Sequence, residues 1–184
     1  RYDESLVELR RAEELDPLSP IIAMNVGDTL VNARRYDEAH AVYKRSLTLN
    51  PNFALTHFGV GLANGLKGMY PEAIAETRKA IELDPDSSTK GYLALWLGRS
   101  GAHDEARKVL DEIKLESTQR YVQSFSFALA HLGLGEKGEA LNWLEKEIAE
   151  RGAGTRYYAN APELDDVQAE PRFKAMLKQL NLPE

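Results

Sequence analysis

Small and apolar residues recur along the chain at a period near 34, and the stretches between them read as amphipathic helices joined in pairs. The clearest column is Ser5, Ala39, Ala73, Ala106 and Ala140, spaced by 34, 34, 33 and 34 residues, and each member follows a glutamate: Glu4, Glu38, Glu72, Glu105 and Glu139. A second column is Leu15-Asp16-Pro17, Leu49-Asn50-Pro51 and Leu83-Asp84-Pro85. Ala12, Ser46 and Ala80 form a third, Gly27 and Gly61 a fourth, and Tyr2, Tyr36 and Tyr70 open one helix of the first three units. Proline lacks an amide donor and drives the preceding residue out of the helical region, so the proline column ends a helix and begins the turn into the next unit. Gly68, Gly101 and Gly135 fall where the other helix of a pair must stop, which suits a left-handed C-cap. Gly27 and Gly61 are expected to admit a partner helix closely at Ala39 and Ala73.

The spacing predicts helices over 2–15, 20–32, 36–49, 52–67, 70–83, 88–99, 103–115, 118–133 and 136–151. The corresponding division is 1–19, 20–53, 54–86, 87–120 and 121–153, with a closing segment over 154–184. The unit at 87–120 carries Thr118 where the others have proline, and the 33-residue step places one lost residue near Asp86-Ser87-Ser88. Helix 2–15 bears an apolar stripe of Leu6, Leu9 and Leu15 with no helix of its own unit before it, so the expectation is a truncated repeat from the C-terminal part of a longer protein. After Gly152-Ala153-Gly154 the period breaks. Tyr157 and Tyr158 offer anchors, and Pro171 suits the first turn of a last helix carrying Phe173, Met176, Leu177 and Leu180, which would cap the array.

These columns resemble the tetratricopeptide repeat, which has small residues at repeat positions 8, 20 and 27 and proline at 32. The resemblance covers most of the chain. It implies an all-α fold, a right-handed α–α superhelix of antiparallel helix pairs with a C-terminal capping helix. The tail, from Trp143-Leu144-Glu145 through Pro162-Glu163-Leu164-Asp165 to Pro171-Arg172-Phe173 and Leu182-Pro183, is similar to the C-terminal segment of bacterial multidomain regulators. That likeness implies a sensory or docking role within a larger protein.

In that family the first helices of the pairs line a concave groove, with ligand contacts from repeat positions 2, 5, 6, 9, 12 and 13. Carried over, this selects Asn25, Asp28, Asn32, Phe58, Leu62, Tyr92, Leu95, Arg99, Phe125, Ser126 and Leu129. Asparagine there suits an extended peptide backbone, and Tyr92 with the leucines suits apolar side chains. Asp28 and Leu62 stand where a clamp for C-terminal carboxylates would want cationic or amide groups, which argues against that ligand. The expected function is therefore a protein- or peptide-binding scaffold. The rivals are self-association through the uncovered Leu6 and Leu9 face or the tail, and an accessory role beside an upstream catalytic module.

Composition narrows the remaining classes. The 184 residues are 43% hydrophobic and 28% charged, enough to bury a core, and 29 acidic against 23 basic residues give a net charge of −6, which disfavours nucleic acid. No apolar run approaches a membrane span. The lack of cysteine excludes disulfides and thiolate metal sites and makes the cytoplasm the default compartment. His40, His57, His103 and His131 have no metal-ligand spacing, so no metal or cofactor is expected. Gly133-Leu134-Gly135-Glu136-Lys137-Gly138 has the letters of a dinucleotide fingerprint, but a helix, not a strand, precedes it, and an interhelix turn accounts for its glycines. No nucleophile elbow or assignable triad is present, and the chain is read as non-catalytic.

Overall fold

The computed structural model describes residues 2–85, 87–150 and 152–183, with the side chains at 87, 88, 153, 154, 156 and 157 outside the description. Its elements are helical throughout the described residues, and the chain divides into two compact units, 1–85 and 86–184. The division falls beside the 33-residue step. That step at Asp86-Ser87-Ser88 and the anchor at Tyr157 lie outside the described residues and side chains.

Unit 1 holds α1 (Tyr2–Leu15), α2 (Pro20–Asn32), α3 (Tyr36–Leu49), α4 (Ala54–Leu66) and α5 (Tyr70–Leu83). Each helix packs against the next, and α2 also touches α4. Ser19 begins α2, its hydroxyl accepting from the Ile22 amide, and Pro20 occupies the first turn, where a missing amide costs nothing. α1, α3 and α5 stop at the leucine of the Leu-Asp/Asn-Pro column, as proline requires. α4 is shorter than the sequence reading by two residues at the start and one at the end. Leu6, expected to lie uncovered, is buried, because α2 packs over that part of α1; Leu15 is 88% exposed.

Tight packing in this unit is organised around an aromatic ring rather than the alanine column alone. Gly61 does face Ala73: a methyl group there would stand 3.2 Å from the Ala73 carbonyl oxygen and 2.7 Å from Thr77 Oγ1. Gly27 lies against the ring of Tyr43, one turn beyond Ala39 on α3, and Gly59 of α4 lies against the same ring. Tyr43 has no exposed surface. The two glycines make the slot that the ring fills, and any Cβ in either wall would collide with it.

Unit 2 holds α6 (Ser87–Arg99), α7 (His103–Ser117), α8 (Ser124–Gly133) and α9 (Lys137–Ala149). A 3-10 stretch over Ala153–Asn160 and a 3-10 turn over Pro162–Leu164 follow, then α10 (Asp165–Gln168) and α11 (Pro171–Gln179). α8 begins six residues later than the spacing predicts, because Thr118 and Gln119 continue the turns that close α7 and residues 121–123 are not helical. Gly91 and Gly98 on α6 and Gly133 on α8 bring those helices into backbone contact: a methyl on Gly91 would stand 2.7 Å from Ser126 Cα, one on Gly98 2.7 Å from Gly133 Cα, and one on Gly133 2.7 Å from the Ala94 carbonyl oxygen. Of the fingerprint-like glycines, Gly133 is thus a packing residue and Gly135 a turn residue, while Gly138 lies in the first turn of α9 with open space beside it. Gly68, Gly101 and Gly135 all have positive φ, the left-handed caps their spacing implied, and Arg34 takes the same conformation at the equivalent place.

The last helix is the cap the sequence suggested. Pro171 sits in its first turn, and Phe173, Met176 and Leu177 are buried against the α9 side of unit 2. Tyr158 is buried between Phe125 and Phe173, its ring centroid 5.8 Å and 6.3 Å from theirs.

Candidate functional site

The sequence-selected residues divide between the units and meet different fates. On α2 of unit 1, Asn25, Asp28 and Asn32 follow one another at three- and four-residue steps and so share one face of the helix. Asn25 is exposed, and Asp28 and Asn32 are half-buried. On α4, Phe58 is half-buried and Leu62 is 8% exposed. Ile21 and Leu55, at equivalent repeat positions 34 residues apart and on the same two faces, are 47% and 42% exposed. Both helices therefore present apolar side chains toward their N-terminal ends, and α2 presents amide and carboxylate groups further along.

Asp28 is the charged member of that face. Its Oδ1 accepts a hydrogen bond of 2.6 Å from the Tyr43 hydroxyl, delivered through the glycine slot from α3. Burial raises the carboxyl above its usual range, and the Tyr43 bond opposes that rise. Burial, with the neighbouring carboxylate, also pushes the phenol far above its ordinary value, so Tyr43 remains the donor.

In unit 2 the corresponding face is covered by the chain's own tail. The Tyr92 hydroxyl donates to Glu163 Oε1 at 2.6 Å, and Arg99 Nη2 donates to the Glu163 carbonyl oxygen at 3.1 Å and to Asp166 Oδ2 at 2.6 Å. Phe125 stacks on Tyr158 and meets Tyr92 edge-on at 6.4 Å. Leu95, Ser126 and Leu129 have no exposed surface, and the Ser126 hydroxyl has no hydrogen-bond partner among the described residues. These three are core here because α6 and α8 touch backbone to backbone, leaving no gap for a ligand.

Sequence reasoning missed Glu163 and Glu147, both buried acids. Glu163 is covered with the whole Ala161-Pro162-Glu163-Leu164 segment, and Glu147 reaches from α9 to accept from the Phe125 amide at 3.1 Å, satisfying a free donor at the start of α8. An acid in a polar-looking stretch carries no local mark of burial. Burial raises both carboxyls, and Tyr92 and Arg99 only partly offset this at Glu163. A raised carboxyl contributes fully to stability below its unfolded value and loses that contribution as pH rises through its folded value. Glu163→Gln keeps an acceptor for Tyr92 and removes the charge, so thermal unfolding should show the variant more stable than the parent at pH 7.5, with the gap closing toward pH 4.5. A pH-independent difference would contradict this.

His57 bridges Glu76 and the Pro51 carbonyl, at 2.7 and 2.9 Å, and His131 contacts Glu136 at 2.6 Å. No group of three metal-ligating side chains occurs among the described residues, and no helix among them is long and apolar enough to cross a membrane.

Antiparallel helix pairs at a 34-residue period, with glycine slots and small-residue contacts, define a helical-repeat protein of the solenoid class. Residues 1–52 and 26–88 match the tetratricopeptide repeat family model. It is 25% identical over 179 residues to Hsp70-Hsp90 organizing protein 3 of Arabidopsis thaliana, covering 92% of this chain and 30% of that protein. Among solved structures it is similar to TTC0263, a tetratricopeptide protein of Thermus thermophilus, with 18% identity, TM-score 0.66, and coverage of 97% of this chain and 91% of that one. A tetratricopeptide protein of Parabacteroides merdae gives 18% identity, TM-score 0.68, and coverage of 98% and 71%. YrrB, described as having an unusual peptide-binding site, gives 21% identity, TM-score 0.55, and coverage of 93% and 89%. The fold is the all-α right-handed superhelical type expected from the repeat columns.

Proposed function

We propose that the chain is a scaffold that binds a protein or peptide, and that the α2 and α4 face of unit 1 is its binding surface. The observation that carries this is the contrast between the two units. The unit 2 face is filled by residues 158–166, whereas Ile21, Asn25 and Leu55 of unit 1 stand open to solvent beside half-buried Asp28, Asn32 and Phe58. An extended peptide finds amide groups for its backbone and apolar surface for its side chains there. The tail's occupation of the other face, with Tyr92, Arg99 and Phe125 as its contacts, is itself a pattern for how such a surface holds a polypeptide segment. We extend the reading to a docking role within a larger assembly, in line with the relative named for organising two chaperones.

A random dodecapeptide library displayed on phage and selected on the full chain tests this. Enriched peptides should bind the parent and lose about tenfold or more in affinity to the Ile21→Ala/Leu55→Ala double variant, which trims two exposed side chains without touching the core. Binding unaffected by the double variant would move the site elsewhere. Light scattering on the same samples addresses self-association: a concentration-dependent dimer would favour pairing through Val7, Leu15 and Leu18, which are 53%, 88% and 65% exposed.

A further inference from the structure

Asp28 is a carboxylate held in place without a counter-charge. Among the described residues, the Tyr43 hydroxyl bonds one oxygen, and no lysine, arginine or histidine pairs with the group. The holding is rigid, since the Tyr43 ring is pinned between Gly27 and Gly59 and cannot swing away from the acid. α2 contains no basic residue at all, and α4 contains only His57, which is engaged by Glu76 and Pro51. Of the basic residues just beyond these helices, Arg35 pairs with Glu38 and Asp3, Lys67 pairs with Asp37, and Arg34 forms the left-handed turn after α2.

The face of α2 and α4 thus has a single negative charge, partly withdrawn from water and fixed in position, within an otherwise neutral surface of amides and apolar groups. Burying a charge without a partner is unfavourable, and a cation brought to it gains more than it would at an open surface, because the desolvation has already been met in folding. Resting on the peptide-binding reading above, we propose that this face takes a basic peptide, one whose lysine or arginine pairs with Asp28 while its neighbouring apolar residue lies on Ile21, Leu55 or Phe58. The occupant is a cationic segment of another protein, and charge complementarity selects it.

The sequences of the selected dodecapeptides test the assignment. Peptides enriched on the parent chain should share a lysine or arginine column, and selection on Asp28→Asn should lose that column. Asparagine still accepts from Tyr43, so the slot stays filled, and circular dichroism of the variant should overlay the parent. A double-mutant cycle then isolates the contact. Lys→Met in the best peptide should weaken binding to the parent about tenfold or more and to Asp28→Asn less than about threefold, as expected for a charge-assisted pair. Enriched peptides lacking a basic column, or an equal Lys→Met loss on both proteins, would overturn the cation assignment while leaving peptide binding intact. Failure to enrich any peptide would overturn the peptide-binding reading, and this inference with it.

Discussion

Gly98→Ala should destabilise unit 2 by about 3 kcal/mol, the upper range for forcing atoms into a filled core, although the same change in an open helix would be stabilising by about 0.5–1 kcal/mol. The packing effect wins because of what the new methyl meets. It would stand 2.7 Å from Gly133 Cα and closer still to the Gly133 carbonyl, and these backbone atoms have no rotamer to turn away. α6 and α8 would have to separate, loosening the contacts that bury Leu95, Ser126 and Leu129. Both tryptophans, Trp96 and Trp143, lie in this unit, so urea unfolding followed by tryptophan fluorescence reads the effect directly. Gly138→Ala is the control: nothing lies within 4 Å of its added methyl, and its transition should stay at or slightly above that of the parent. Equal midpoints for the two variants would refute the close approach of α6 and α8.

The second large effect is at Tyr43. Tyr43→Ala should cost about 3–5 kcal/mol, the range for deleting a fully buried aromatic ring, because it empties the slot between Gly27 and Gly59. Tyr43→Phe keeps the ring and removes only the hydroxyl, leaving Asp28 without its donor. It should cost about 1–3 kcal/mol, the penalty for a buried polar group that loses its partner. The order Ala, then Phe, then parent in denaturant midpoint, followed by far-ultraviolet circular dichroism, separates the packing contribution from the hydrogen bond. A Phe variant as unstable as the Ala variant would mean that the hydroxyl, not the ring, holds the unit together.

These two sites also show where reading the chain succeeds and where it stops. Gly68, Gly101 and Gly135 could be assigned to left-handed caps because the conformation is local: three or four residues and a missing Cβ decide it. The ends of α1, α3 and α5 were legible for the same reason, since proline acts on its own backbone and its neighbour's. Gly27 was recognised as a glycine that lets α3 pack closely, but the Tyr43 ring that fills the space beside it was not foreseen. Which side chain fills a slot depends on the rotation and offset of two helices, and a period of 34 leaves both undetermined.

The candidate site divides along the same line. The repeat positions that the family resemblance implied placed Asn25, Asp28 and Asn32 together on α2, where Asn25 is exposed and Asp28 and Asn32 are half-buried. The same repeat positions placed Tyr92, Arg99 and Phe125 on the equivalent face of α6 and α8, but that face is covered by contacts with residues between 33 and 71 positions further along the chain. Nothing local to Tyr92 announces Glu163.

By itself, then, the sequence determined most of the helices, their pairing period and their caps, because these follow from backbone chemistry and short-range periodicity, and its repeated columns carried the resemblance that implied the fold. Tertiary structure alone decided that Tyr43 reaches through two glycines to Asp28, that α6 meets α8 backbone to backbone, and that the tail covers the unit 2 face. Each of these is a contact between residues distant in sequence, set by how helices rotate and approach as they exclude water, and a repeat pattern specifies the spacing of such surfaces without specifying what comes to rest on them.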